Sequence, residues 1–541
     1  DLAEQITFCE NDYDALEGAD AALVVYINGV LKDDPSVAHL LPLGLRALEV
    51  ATATIDGVLL CKLLNAVKPG AIDERVIKLR VADEEDMIEN NQLCLASAQA
   101  IGASVFSIKA GDIHQGKVPV ILKLAREIVK AGLLSSISIT SHPELLALKP
   151  RSMELKKFSR IPPEELLLMW VNHHMSAGAG ASSSSAAAAS GVTGPEVANF
   201  ADALADGRAI GILVAKLFAD RLAASSSTEA KALAADPVSF LDSATSDAAR
   251  CTAVVAALAA VALVPFASVE SLTSSATSAN LLTLAMLFTL NTGLEVTSGQ
   301  EEEMKKITIT DVEGTREERM FRLWIMSLGI EKEVRELDED FKDGLAMLQI
   351  EDAIEPGIVK WAKVNTTRLN AFKLVENCNY GVSLAKSLKC VVVGIDGQDF
   401  ARGNRKLTLA ILWQLMRFNV LNIIRNLKFE GREVSDDDVL AWANDRVAAA
   451  GKASSIRSFK DRTLSTSHFL IDLLYAIKPR AVDYSLVTPG ESDEDAMLNA
   501  KYAIGVARKL GAQVFLVWED ICEVNERMIL TFIGNLMSLA G

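Results

Sequence analysis

The chain has 541 residues, room for three to four domains at roughly 150 residues each, and its 50% hydrophobic and 23% charged content is that of a folded protein. With 54 Lys+Arg against 71 Asp+Glu, the formal net charge is −17. That balance excludes broad nucleic-acid binding and bulk attraction to acidic membranes, both of which need a basic surface. The seven cysteines (Cys9, Cys61, Cys94, Cys251, Cys378, Cys390 and Cys522) include no CxxC pair, so a disulfide framework or zinc knuckle is not expected and a reducing cytosol is the natural setting. No signal peptide opens the sequence.

Along the chain, a short helical pattern recurs four times: Leu23-x-x-Tyr26-Ile27, Leu167-x-x-Trp170-Val171, Phe321-x-x-Trp324-Ile325 and Val439-x-x-Trp442-Ala443. The i, i+3, i+4 offsets place each set on one helical face, so the four aromatics are expected to anchor cores. Pro162 and Pro163 suit the start of the second copy's helix, and Thr315-x-x-Glu318 and Ser435-x-x-Asp438 read as capping boxes for the third and fourth. A turn signal follows each aromatic: Asp56-Gly57, Asp206-Gly207, Asp343-Gly344, and Thr466-Ser467 in the fourth copy, each ahead of an apolar helix. Copies one and four also share AVKPGAID (66–73) and AIKPRAVD (476–483).

Each copy closes with another apolar helix, over 118–134, 280–290, 404–421 and 525–539. The spacing defines four domain-sized repeats rather than a solenoid. Helical periodicity dominates throughout, so the fold class is all-α, with about four main helices per repeat. The expected domains are 18–135, 160–294, 315–424 and 435–541, with linkers at 141–160, 295–314 and 428–435. The Ser/Ala-rich stretch 176–191 inside the second domain reads as a flexible loop. The run from Cys251 to Val269 carries no charge, but its Ala/Ser/Thr content and Pro265 predict a buried helix rather than a membrane span.

The aromatic on the first helix, the Asp-Gly ahead of the second and the capped last helix together resemble the calponin-homology domain. Four copies in two tandem pairs resemble the fimbrin, or plastin, family. The stretches 56–77, 375–423 and 459–479 carry this most specifically. The resemblance implies two actin-binding domains, one per tandem pair, and therefore a cytoplasmic, non-enzymatic protein of the actin cytoskeleton that bundles filaments. The family usually carries calcium-binding EF-hands ahead of this core; no such pattern is present in these residues. A monomer without cofactor or metal is expected, with filamentous actin as partner and neither nucleic acid nor membrane insertion. The alternative is a side-binder or adaptor, for microtubules or another partner, that uses only one pair.

In the family, the filament meets the first and last helices of the leading domain of a pair and the first helix of the second. Carried over, the last helix of the first repeat offers Lys123, Arg126 and Lys130 as one basic stripe, useful against acidic actin. Its counterpart in the third repeat offers Arg405, Lys406 and Arg417, with Arg425 just beyond. On the leading helices the candidates are Asn28, Lys32, Asn172, His173, Arg322, Asn444 and Arg446.

Other chemistry is set aside. The stretch from Gly111 to Lys117 fits GxxxxGK, but Val118 stands where a phosphate loop needs Ser or Thr, so it reads as a turn before the last helix. Asp338-x-Asp340-x-x-Asp343-Gly344 places its Gly out of register for an EF-hand. The adjacent His173-His174 cannot form an i, i+4 metal pair, and no residues with a catalytic signature are found.

Overall fold

Local sequence sets the helix starts. At Thr315, the backbone N–H donates to Glu318 Oε2 (2.7 Å) while the Glu318 N–H returns to Thr315 Oγ1 (3.2 Å), and Ser435 and Asp438 form the same reciprocal cap. Pro163 occupies the first turn of its helix, where a missing N–H costs nothing. The computed structural model describes residues 15–176, 194–260, 264–295, 314–428 and 434–540. The Ser/Ala-rich stretch and most of the 295–314 linker lie outside these.

Each repeat contributes four principal helices. They are α1 Gly18–Leu31, α2 Val58–Val67, α3 Glu84–Ala100 and α4 Val118–Ser136; α5 Pro163–Met175, α6 Arg208–Leu217, α7 Asp247–Ala259 and α8 Thr277–Leu290; α9 Arg316–Ser327, α10 Leu345–Ile354, α11 Ala371–Ser387 and α12 Arg405–Lys428; and α13 Asp436–Ala449, α14 His468–Ile477, α15 Asp493–Lys509 and α16 Glu526–Leu539. Among the described residues the only extended pairing is an isolated bridge between Ala15 and Arg46, so the chain is all-α.

Two left-handed positions recur in every repeat. The first precedes the second helix: Gly57 (φ 75°), Gly207 (73°), Gly344 (74°) and Ser467 (63°). The preceding Asp side chain accepts the N–H of the residue after the glycine, at 2.9 Å for Asp56, Asp206 and Asp343. Thr466-Ser467 thus holds the Asp-Gly place at the cost of a non-glycine residue in a region that favours glycine. The second position lies two residues before the last helix: Gly116 (70°), Ser275 (57°), Gly403 (72°) and Val524 (57°). Gly111–Lys117 is accordingly a short helix and turn leading into α4.

Three of the four expected aromatic anchors bury as their spacing requires. Tyr26, Trp170 and Trp324 are core residues. Trp442 is only half-buried; Val439 and Ala443 take the innermost positions on that helix. The uncharged run forms α7 with Cys251, Val254 and Ala257 fully buried, as a core helix should. Among the described residues one unbroken helix, within Arg405–Asn426 of α12, is long and apolar enough to cross a membrane. Its Leu412, Leu415 and Met416 are sequestered, and it packs on α16.

The chain divides into two compact units, residues 1–69 with 111–313 and residues 70–110 with 314–541. In the first, α4 packs on α2 and α8, and α5 packs on α8 and α6. In the second, α12 packs on α16 and α9, and α13 on α16 and α14. The last helix of an odd repeat therefore meets the last helix of the even repeat in each unit, the same pairing twice.

The second unit also takes in residues 70–110, from the first repeat, whose α3 lies along α15. Arg480 donates to both Asp83 oxygens (3.0 Å), to Asp86 (2.6 Å) and to Glu85, while Lys478 meets Glu85 (2.5 Å) and Glu89 (2.6 Å). Burial works against ionisation of Asp86, but hydrogen bonds from Lys78, Ala82 and Arg480 prevail and bring its pKa down to about 2. Lys509 Nζ caps the Val76 carbonyl at 2.8 Å, and Arg75 reaches the Leu486 (3.1 Å) and Leu498 (2.8 Å) carbonyls.

Candidate functional site

The candidate residues separate into those committed to the fold and those presented outward. Asn28, two residues after Tyr26 on α1, is committed. Its Oδ1 accepts the Leu43 N–H at 2.8 Å and its Nδ2 donates to the Leu43 carbonyl at 3.0 Å. Asn172 grips Val197 in the same two-way fashion (2.8 and 2.9 Å), and Asn444 grips Ile456 (2.9 and 2.9 Å). These amides pin the loop behind the first helix of repeats one, two and four. In the third repeat Met326 holds that position, and the loop is tied instead by the Lys332 N–H to Gln349 Oε1 (2.8 Å) and by Arg322 Nη1 to the Arg335 carbonyl (3.0 Å).

Both carried-over arginines of α12, Arg405 and Arg417, are ion-paired. Arg405 pairs with the buried Glu318 of the α9 capping box, and burial of that carboxyl is outweighed by its Thr315 and Arg405 hydrogen bonds, which lower its pKa. Arg417 places Nη2 2.6 Å from Asp436 Oδ1 at the start of α13, joining the third repeat to the fourth. Arg446 keeps a buried Nε on α13. His173 is half-buried with its ring edge-on to His174, and burial lowers its pKa.

The outward set is basic. Lys123 is exposed on α4, Arg126 pairs with Asp20 of α1, and Lys130 is half-buried one turn further on. These side chains form the single stripe that their spacing requires, on a helix whose opposite face is held by α2 and α8. Lys32 is exposed just past α1, 3.9 Å from the exposed Asp33, at the end of a helix that also exposes Val25 and Val30 in part. On α12, Lys406 is exposed. The structure thus brings Lys123, Arg126 and Lys130 together next to α1 and leaves Lys406 as the exposed cation at the head of α12.

A second family of clamps escaped the sequence reading. Asn90, Asn377 and Asn499, on the third helix of repeats one, three and four, each exchange two hydrogen bonds with the backbone of a residue ahead of the helix: Lys78, Asn365 and Thr488, at 2.8–3.0 Å. Asn377 and Asn499 also cap the carbonyls of Asp343 (3.0 Å) and Thr466 (3.1 Å) in the left-handed turn. In the second repeat Arg250 replaces the amide, reaching the Asp206 carbonyl at 2.9 Å and that of Leu241 at 2.8 Å. A recurring Asn in the third helix was the available signal.

Catalytic or metal geometry is not assembled at the positions considered. Asp340 Oδ2 accepts the N–H groups of Arg335 and Glu336 (2.7 and 2.8 Å), and Asp343 pairs with Lys332 (2.6 Å) while capping its own turn. Among the described residues no three His, Cys, Asp or Glu side chains are grouped to hold a metal ion.

The profile of the calponin homology (CH) domain matches residues 18–132, 315–420 and 433–541. The chain is 38% identical over 534 residues to fimbrin of Schizosaccharomyces pombe, spanning 95% of this chain and 81% of that protein. It is 37% identical to fimbrin of Saccharomyces cerevisiae (95% and 77%) and 35% identical to human plastin-1 (95% and 79%). The crystal structure of the actin-crosslinking core of S. pombe fimbrin superposes with a TM-score of 0.75 at 34% identity, over 96% of this chain and 98% of that one. Repeats built on one landmark set, paired the same way twice, and kinship of this extent lead to one conclusion: the chain belongs to the fimbrin family of calponin-homology proteins.

Proposed function

We propose that this protein binds and crosslinks actin filaments, with residues 18–294 forming one filament-binding domain and 315–541 the other. The observation that carries this is the duplicated pairing of odd and even last helices, α4 with α8 and α12 with α16. One grip would only decorate a filament; a second on the same chain makes the next attachment intramolecular, at high local concentration. The kinship with the fimbrin actin-crosslinking core supports the same reading. The second repeat lies outside the matched regions, and its αL turn at Gly207 and its Asn172 clamp support reading it as a fourth calponin-homology domain over 160–294.

Binding is assigned to Lys123, Arg126 and Lys130 with Lys32 in the first half, and to Lys406 in the second. Actin is acidic, and a local basic stripe on a chain of net charge −17 concentrates attraction there. The action is by binding rather than catalysis, in the cytoplasm, with the chain acting as a monomer. Pelleting tests this directly. High-speed sedimentation with filaments should carry the protein down, and low-speed sedimentation should bring down bundles. Binding without low-speed bundles would refute crosslinking and leave a single-site binder.

A further inference from the structure

A cleft of about 610 Å³ opens in the third repeat, between the end of α10, the end of α11 and the middle of α12. That volume suits a small ligand. Arg417, Leu421 and Arg425 recur every four residues on α12, so one face of the helix carries two guanidiniums across an apolar step. Lys389, in the left-handed conformation (φ 61°), adds a third cation at the rim. Among the described lining residues one carboxylate stands against them, Glu355, which accepts from Asn422 Nδ2 at 3.2 Å. Phe418 and Ile358 supply apolar wall.

Among the described residues, two polar atoms here are buried without a hydrogen-bond partner: Arg425 Nε and Asn422 Oδ1. A buried guanidinium donor without an acceptor is a standing cost, which an arriving oxyanion relieves. We propose that this cleft binds a phosphate monoester carried on an apolar body. Glu355 and Asp436, the partner of Arg417, offset two of the three cations, and the three terminal oxygens of a phosphate monoester meet all three donors at once where a carboxylate offers two. Guanidinium forks match phosphate oxygens, and the apolar wall takes the organic part. The ligand phosphate would also compete with Asp436 for Arg417, so occupancy loosens the tie between α12 and α13. The inference is independent of filament binding.

The test is calorimetric titration of the full chain with phenyl phosphate, inorganic phosphate and phenol, alongside sedimentation with phosphatidic acid and phosphatidylcholine vesicles. Saturable binding of phenyl phosphate, tighter than either fragment alone, is expected. Arg425→Gln should weaken it by at least about tenfold, the loss of one charge-assisted hydrogen bond. Lys389→Gln, at an exposed position, should weaken it severalfold without touching the packed helix. Arg425-dependent binding of phosphatidic acid vesicles alone would identify a lipid headgroup as the source, and of phenyl phosphate alone a soluble ester. Absence of saturable binding in both arms, or binding unchanged in both variants, would overturn the proposal.

Discussion

Asn28→Ala separates a residue that holds the fold from one that touches a filament. The side chain makes two hydrogen bonds to Leu43, itself buried, so truncation removes both and strands a backbone N–H and C=O. Two bonds at about 1 kcal/mol each, plus partial desolvation of the orphaned groups, come to about 3 kcal/mol. At about 2–4 °C per kcal/mol for a unit of this size, the first compact unit should melt about 6–12 °C lower. Asn28→Asp keeps the acceptor for the Leu43 N–H and should lose less than half of that. Calorimetry would give the melting temperature, and high-speed pelleting with actin well below it would give affinity. The clamp assignment requires a large thermal shift with affinity nearly intact. A melting temperature within about 1 °C of wild type together with weakened pelleting would refute it and return Asn28 to the filament surface.

Charge reversal Arg126→Glu breaks a pair whose members are both about one-third exposed, so it should cost under about 1 kcal/mol of stability; a filament-affinity loss of about tenfold or more, shrinking at high salt, would then report contact, and unchanged co-sedimentation would remove it from the site. His174 is held neutral by burial, which lowers its pKa to about 4 although Nε2 donates to the Thr292 carbonyl at 3.0 Å. Because the unfolded chain takes up this proton near pH 6.5 and the folded one only near 4, stability falls as pH drops between those values, by about 3 kcal/mol at full extent; a His174→Gln variant should show a flatter pH dependence of its melt, and an equally steep one would exclude His174 as the cause. Ser467→Gly relieves a left-handed non-glycine residue whose buried hydroxyl has no partner among the described residues, and should raise the melting temperature of the second unit by about 2–4 °C; a decrease would mean the serine contributes something that its geometry does not reveal.

What the sequence discloses is what is local and periodic. The aromatic stripes, the Asp-Gly turns, the capping boxes at Thr315 and Ser435 and the closing helices are each set within a few residues, and each appears where its spacing places it. The equivalence of Thr466-Ser467 with Asp-Gly rested on position alone and is met by the backbone at Ser467. The candidate site was less legible. Asn172 answers to a carbonyl 25 residues on, and Arg405 to a carboxylate 87 residues back, through loops without periodicity, so polarity on a leading helix cannot distinguish a clamp from an outward contact. Lys123, Arg126 and Lys130 were readable because a helix fixes their common face.

The Arg480 fork has a bearing on how the protein is made. Its partner Asp83 lies 397 residues earlier in the chain. At about 5–20 residues per second, the 70–110 segment leaves the ribosome roughly 20–80 s before the arginine that completes its surroundings exists. Through that interval the first turn of α3 carries four consecutive carboxylates, Asp83 to Asp86, with Lys78 at hand for Asp86 but Arg480 not yet made. Like charge in a nascent strand repels its neighbours on the same polysome, so the electrostatics that finally fasten the segment also guard it while it waits.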